Sequence, residues 1–364
     1  MFRPSTFSTG LRGRTAAALL AVASVATLGL TGCASGDKPV GPAAADTPLP
    51  TEVPAGTKLV VADQSEALQT ILKISGEQDK LPFQIEYANF TGGPAILEAF
   101  RAGAADAAIV GDVPPIHAQA AGQQVPIIAA YQTSALAVRL AVAPGKSVAT
   151  LADLKGKKIA YAEGTAQQAV VLRALARAGL KTDDVQLIRL QLAEFLDAAR
   201  TGQVDVAPLS EPTLSRFLRT PGSSVVSEAE GEGLYPGLAY LYARRAVVVD
   251  PAKAGATRAL AAAFVRAYQW SNTHPQEYIQ KYYVDSQKLT VEEGKRIFDA
   301  RGTLAFPHLD QQLVDRQQRT IDTIAAAGQL PKKVKAADGF DLRFDAAITQ
   351  AVTESGAAHE LKAR

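Results

Sequence analysis

Cysteine is almost missing from this 364-residue chain: Cys33 stands alone. A single cysteine excludes a disulfide within the chain and any multi-cysteine metal site. Charge of one sign is equally scarce. The formal net charge is +2, which leaves no electrostatic footprint for nucleic acid. The four histidines, His117, His274, His308 and His359, show no metal-ligand spacing and read as surface or local residues. Neither a Walker sequence nor a GxGxxG fingerprint is present, so nucleotide binding has weak support. Ser134 and Ser210 have no visible His/Asp companions and no nucleophile-elbow motif, which argues against a hydrolase. Beyond the N-terminus nothing is long and apolar enough to cross a bilayer. No catalytic residue, cofactor or metal is expected.

The one cysteine has a context. Arg3, Arg12 and Arg14 form a basic region, and Thr15 to Gly29 an Ala/Leu/Val-rich one too short for a comfortable span. It ends in Leu30-Thr-Gly-Cys33, which resembles the bacterial lipobox, where the cysteine is lipidated and becomes the mature N-terminus. An ordinary secretory signal or an uncleaved anchor is the alternative; the only cysteine falling at the cleavage point favours the lipobox. We therefore expect residues 1–32 to be a signal peptide. Residues 33–57 are expected to be a lipidated Cys33 and a flexible tether, since Ala34 to Thr57 is rich in Pro, Gly, Ala, Asp and Thr without hydrophobic period. Lipidation would hold the protein to a membrane surface.

The length favours two lobes or domains. One block is written twice, from Ile96 to Asp112 and from Phe195 to Glu211, at a constant offset: Leu97 matches Leu196, Arg101 matches Arg200, Gly103 matches Gly202 and Asp106 matches Asp205. Each copy reads as a helix end, a glycine stop, a turn with Asp, a short apolar strand and an acid followed by proline. The long period points to two similar lobes rather than a solenoid. Each lobe would present an acid–Pro loop at a strand's C-terminal end, where open α/β sheets bind ligands. Arg101/Asp106 and Arg200/Asp205 are expected to pair at the helix ends.

Strands are expected at Lys58–Ala62, Phe83–Tyr87, Asp106–Val110, Pro126–Ala130, Leu136–Ala143, Lys158–Ala162, Val185–Leu190 and Leu238–Ala243, the last continuing through Ala246–Val249. Asp63, Gln64 and Ser65 form a loop and cap before a helix. The turn through Thr91, Gly92, Gly93 and Pro94 and the turn Glu163–Thr165 each open a helix. Such a turn either serves as a tight βα connection or aims backbone N–H groups at an anion. Tyr131, Tyr235 and Tyr240 either line a cleft or fill the core. Arg139 either meets an anion or pairs locally.

Several stretches carry a family resemblance: Thr91-Gly-Gly-Pro, Leu97 to Asp106, Gly111-Asp-Val-Pro-Pro, Val148 to Ile159, Glu163-Gly-Thr165 and Ser210-Glu-Pro212. From about Lys58 to Ile348 the chain resembles ABC-transporter substrate-binding proteins of the aliphatic sulfonate, taurine and nitrate family. The resemblance implies an α/β, type II periplasmic-binding-protein fold, with two lobes joined by two crossover strands around a ligand cleft. It implies lobes at 58–141 plus 243–364 and at 142–242. Carried over, the ligand loops fall on Gln64 and Ser65, on Thr91, Gly92 and Gly93, and on Asp112 and Val113. They continue on Thr133 and Ser134, on Gly164, Thr165, Ala166 and Gln167, and on Glu211. Many sulfonate-binding relatives place Trp before the second acid; here Ser210 precedes Glu211 and the only tryptophan is Trp270.

The function implied is that of a monomeric extracytoplasmic lipoprotein. It would capture a small organic anion, an aliphatic sulfonate or taurine-like compound, and deliver it to ABC permease subunits. Nitrate or a thiamine-precursor pyrimidine is an alternative ligand. A pyrimidine-precursor enzyme or a sensory subunit is an alternative role. Asp112 and Glu211 would face each other across the cleft. They would cap helices, bind a ligand ammonium or, as a carboxylate pair, exchange protons.

Overall fold

The computed structural model describes residues 47–134 and 137–361. Cys33, the leader and the tether as far as Asp46 lie outside these residues, as does Leu136.

Two five-stranded sheets organise the chain. The first half supplies β1 (Lys58–Asp63), α1 (Ala67–Ile74), β2 (Gln84–Asn89), α2 (Gly93–Arg101), β3 (Ala107–Gly111), α3 (Pro114–Ala120) and β4 (Ile127–Gln132). It continues with β5 (Val138–Val142), β6 (Lys158–Tyr161), α4 (Ala166–Arg177), β7 (Gln186–Arg189), α5 (Phe195–Arg200) and β8 (Val206–Ser210). Then come α6 (Thr213–Leu218), β9 (Ser224–Val225), α7 (Glu228–Gly231) and β10 (Leu238–Ala243). The C-terminal part is helical: α8 (Arg245–Val249), α9 (Pro251–Thr273), α10 (Pro275–Tyr278) with a π-helical continuation to Ser286, α11 (Val291–Arg301), α12 (Gln311–Ala326) and α13 (Asp345–Ser355).

The strand orders are β2-β1-β3-β10-β4 and β7-β6-β8-β5-β9. They are the same topology used twice. In each sheet three parallel strands meet an antiparallel fourth: β10, with which the chain returns to the first sheet, against β3, and β5, with which it enters the second, against β8. The two passages of the chain between the sheets, before β5 and before β10, join the lobes. Their placement also moves the expected lobe limits: β5 lies wholly in the second sheet and β10 wholly in the first, so 141/142 and 242/243 fall inside or at the end of strands. The chain changes sheets in the segments before β5 and before β10 instead.

The doubled block is doubled in structure. Gly103 and Gly202, at φ 69° and 72°, turn the chain out of α2 and α5 in the left-handed region that glycine tolerates best. The next acid then ties a strand to its parallel neighbour. Val60 N donates to Asp106 Oδ2 at 2.9 Å, and Lys158 N donates to Asp205 Oδ2 at 2.8 Å. The expected arginine partners are wrong. Arg101 pairs with Glu98 one helical turn back and Arg200 reaches Asp197 and the Arg216 carbonyl, because i–3 neighbours share a helix face while the acid lies beyond the glycine turn. Asp106 is held instead by Arg244 and Lys253, both at 3.0 Å, and Asp205 by Lys146 at 2.8 Å. Burial works against the Asp205 charge, but Lys146 and the Lys158 amide hold its pKa below the usual carboxylate range.

Two other expectations change. Ala246–Val249 is helical, not a strand extension; Val247 and Val248 are buried by α8 packing on α9, and a four-residue apolar run cannot by itself distinguish the two states. The tether also ends earlier than Thr57. Leu49 is buried in the core with Val53 against it, and Gly255 on α9, lacking a Cβ, lets the Glu52 carbonyl approach. The first-lobe core forms where α9 covers β1 and β4 and α13 packs on α9.

Replacing Asp106 by Ala removes an acceptor shared by a strand amide and two cations. It is expected to destabilise the protein by about 3 kcal/mol in urea unfolding, whereas Asp205→Ala, whose lysine is half exposed, costs about 1 kcal/mol. Equal losses would contradict this account of the two sites.

Candidate functional site

A cleft of about 640 Å³ opens between the lobes at the C-terminal ends of the parallel strands. From the first lobe Gln64, Ser65, Thr91, Gly92 and Gly93 line it, and from the second Thr165, Ala166, Gln167 and Glu211. Gln64 fixes the first wall: Nε2 donates to the Ile109 carbonyl at the end of β3 (3.0 Å), and Oε1 accepts from Gly92 N at the start of α2 (3.1 Å). Asp63 caps α1, accepting from the amides of Leu68 (3.1 Å) and Gln69 (2.8 Å); burial raises its pKa while these amides oppose the rise. Ser65 and Glu66 follow at φ 53° and 56°, a conformation non-glycine residues rarely adopt. Gln287 donates to the Ser65 carbonyl at 2.8 Å and holds the turn in place.

The second wall is the start of α4. Thr165 accepts from Gln168 N at 3.3 Å and donates to the Ala162 carbonyl at 2.7 Å. Neither α2 nor α4 has an acid in its first turn, so the positive ends of both helix dipoles remain uncompensated by their own side chains. The polar lining is otherwise hydroxyl, amide and carboxylate. Among the described residues, no lysine, arginine or histidine lines this cleft.

The lobes touch closely behind it. A Cβ added to Gly111 would stand 2.8 Å from the Ala166 methyl across the lobe boundary, and one added to Gly93 would stand 3.1 Å from the Gly164 carbonyl. Three polar clasps cross the same boundary. Arg173 donates to Asp112 Oδ2 (3.1 Å) and to Thr320 Oγ1 (2.7 Å), and Thr320 donates to the same carboxylate oxygen (3.0 Å). Arg296 pairs with Glu211 at 3.1 Å. Arg219 forms an ion pair with Glu293, whose pKa it lowers to about 2, so the pair stays charged through the physiological range. His117, on α3 beside the Gly164 loop, is held below its usual pKa by burial.

Of the expected ligand residues, five are placed elsewhere. Asp112 is fully buried and points into the clasp with Arg173, not into the cleft, so it does not face Glu211. Val113 is buried at the start of α3. Gly164 lies against Pro94 and His117. Thr133 donates to the Ser134 carbonyl at 2.9 Å and borders an adjoining chamber, and Ser134 donates to the Ala300 carbonyl. Glu211 does reach the cleft, but it also caps α6, accepting from Ser215 N (3.0 Å) and Oγ (2.7 Å). Tyr131 and Tyr235 line the cleft, whereas Tyr240 is core. Arg139 pairs with Glu228 at 3.3 Å. Glu66, Asn89, Tyr268 and Tyr282 line it as well; the two tyrosines lie in the helical C-terminal part, where nothing in the local sequence marks a cleft residue.

Two lobes of one topology, joined by two passages of the chain and facing a shared cleft, define a type II periplasmic-binding-protein fold. Comparison with known proteins agrees and narrows it. The NMT1/THI5-like family model matches residues 84–278, more than half of the chain, and the chain belongs to that family. The alkanesulfonate-binding protein SsuA of Xanthomonas axonopodis pv. citri, solved bound to MOPS, superposes with a TM-score of 0.72 at 26% identity, over 79% of this chain and 99% of that one. The periplasmic aliphatic sulphonate-binding protein SsuA of Escherichia coli superposes with a TM-score of 0.67, also at 26% identity, over 79% and 92%. In sequence, a provisionally named aliphatic sulfonates-binding protein of E. coli K12 is 36% identical over 40% of this chain, which spans only 46% of that relative's length. A similarly named Bacillus subtilis protein is 28% identical over 73% of this chain and 79% of its own.

Proposed function

We propose that the protein is the extracytoplasmic solute-binding component of an ABC importer and that its ligand is a small organic sulfonate. The observation that carries this reading is the cleft between the starts of α2 and α4. Backbone amides and neutral side chains supply its donors without a cationic side chain. A sulfonate is a permanent anion with three acceptor oxygens, which helix N-termini can hold in this way. The names of the relatives point to the same chemistry. Glu66 and Glu211, also at the cleft, suit a ligand that carries donors, as a taurine-like aminosulfonate does.

Closing the lobes excludes water from the anion and strengthens each hydrogen bond. Ligand favours the closed form only through contacts absent when the lobes are apart. The closed form then marks the loaded receptor for the permease. A transport receptor accounts for the geometry better than an enzyme, because among the described residues the cleft offers no nucleophile–base pair, Glu211 being engaged by Ser215 and Arg296. The lipobox at Cys33 supports attachment to the membrane, with the protein acting as a monomer.

Thermal shift and titration calorimetry against ethanesulfonate, taurine, nitrate and a thiamine-precursor pyrimidine test the ligand class. A sulfonate at a hundred times its Kd is expected to stabilise by about 2.7 kcal/mol. Failure of every sulfonate to stabilise at millimolar levels would remove the assignment. For the anchor, a palmitate analogue is expected to label the wild type and not Cys33→Ser; a Cys33→Ser protein that labels and stays on the membrane contradicts it.

A further inference from the structure

We infer that the cleft extends into an aromatic chamber that selects sulfonates with an aryl body over short alkyl ones. This inference rests on the sulfonate reading above. A space of about 320 Å³ adjoins the cleft and shares Tyr131, Tyr235, Tyr268 and Tyr282 with it, so the two are continuous. Tyr278 and Tyr283 extend its wall. The rings already pack on one another in ligand-like geometries: Tyr131 and Tyr268 are 4.8 Å apart and tilted, and Tyr278 and Tyr282 are stacked at 5.4 Å. Arg301 lies over the Phe298 ring at 4.3 Å and is held from behind by Ser271 (3.0 Å) and Asn272 (3.2 Å).

Three properties fit an aromatic body. The carboxylates at the rim are paired, Glu211 with Arg296 and Glu228 with Arg139, and the remaining cation, Arg301, lies over the Phe298 and Tyr278 rings, so the wall it joins is aromatic. A rigid ring fills such a space with fewer rotors to immobilise than an alkyl chain of the same size. The hydroxyl of Tyr268, only 4% exposed, is buried at the chamber without a hydrogen-bond partner. A buried donor of this kind is costly until something accepts from it. An acceptor on the far end of the ring would do so while the sulfonate remains at the helix starts. Together the two spaces accept a molecule larger than a two-carbon sulfonate.

The experiment is calorimetric titration of the full chain with ethanesulfonate, benzenesulfonate and 4-acetylbenzenesulfonate. Both aryl sulfonates are expected to bind about tenfold or more tighter than ethanesulfonate. Tyr268→Phe, which keeps the ring, is expected to weaken 4-acetylbenzenesulfonate about fivefold and to leave benzenesulfonate within about twofold. Ethanesulfonate binding as tightly as the aryl compounds overturns the aryl preference alone and leaves the sulfonate assignment standing. An equal effect of Tyr268→Phe on both aryl ligands overturns the role of its hydroxyl. Binding by none of the three overturns this inference together with the reading beneath it.

Discussion

A carboxylate with no exposure to water needs a positive partner, and Asp112 finds its guanidinium in the other lobe. Arg173 reaches it from α4 while Thr320 closes the site from α12. Separating the lobes would strip the acid of that charge partner. The rest of the closed arrangement follows the same boundary: the Gly111–Ala166 approach, the Glu211–Arg296 pair and the Arg219–Glu293 pair all form on it. The cleft is what remains open in front of these contacts.

The internal duplication explains why the two walls resemble each other. Equivalent strands, β3 and β8, each begin at an aspartate that pins the neighbouring strand and end beside the cleft. Their terminal acids have diverged. Asp112 has become a buried clasp, whereas Glu211 remains at the cleft edge as a helix cap paired with Arg296. The helix starts at Gly92 and Thr165 line the cleft from either side, and the proposed anion-facing role falls to them.

Much of this was legible in the sequence because it is local. Gly103 and Gly202 stop helices at matched positions, Thr165 caps α4, and, apart from the run continued past Ala243 and the two-residue β9, the apolar strands fall within a residue or two of their expected places. What was not legible depends on partners far along the chain. Nothing near Asp112 announces Arg173 or Thr320, so the sequence points its side chain to the cleft where the structure buries it in the clasp. Tyr268 and Tyr282 sit in helices whose apolar faces look like ordinary core, and only the packing of the second lobe turns them into a wall. Arg101 and Arg200 lie close in sequence to the acids of the repeat, but the glycine turn carries those acids away from the helix face to the start of the next strand.

The central claim is that the lobes close through the Asp112–Arg173 clasp, and a double-mutant cycle on unfolding free energy tests it directly. With Asp112→Asn, Arg173→Met and the double variant, the closed arrangement predicts a coupling energy of about 2 kcal/mol, because each single change strands the other partner. Effects that add to within about 0.5 kcal/mol would show that the two residues do not meet in solution and would contradict the account.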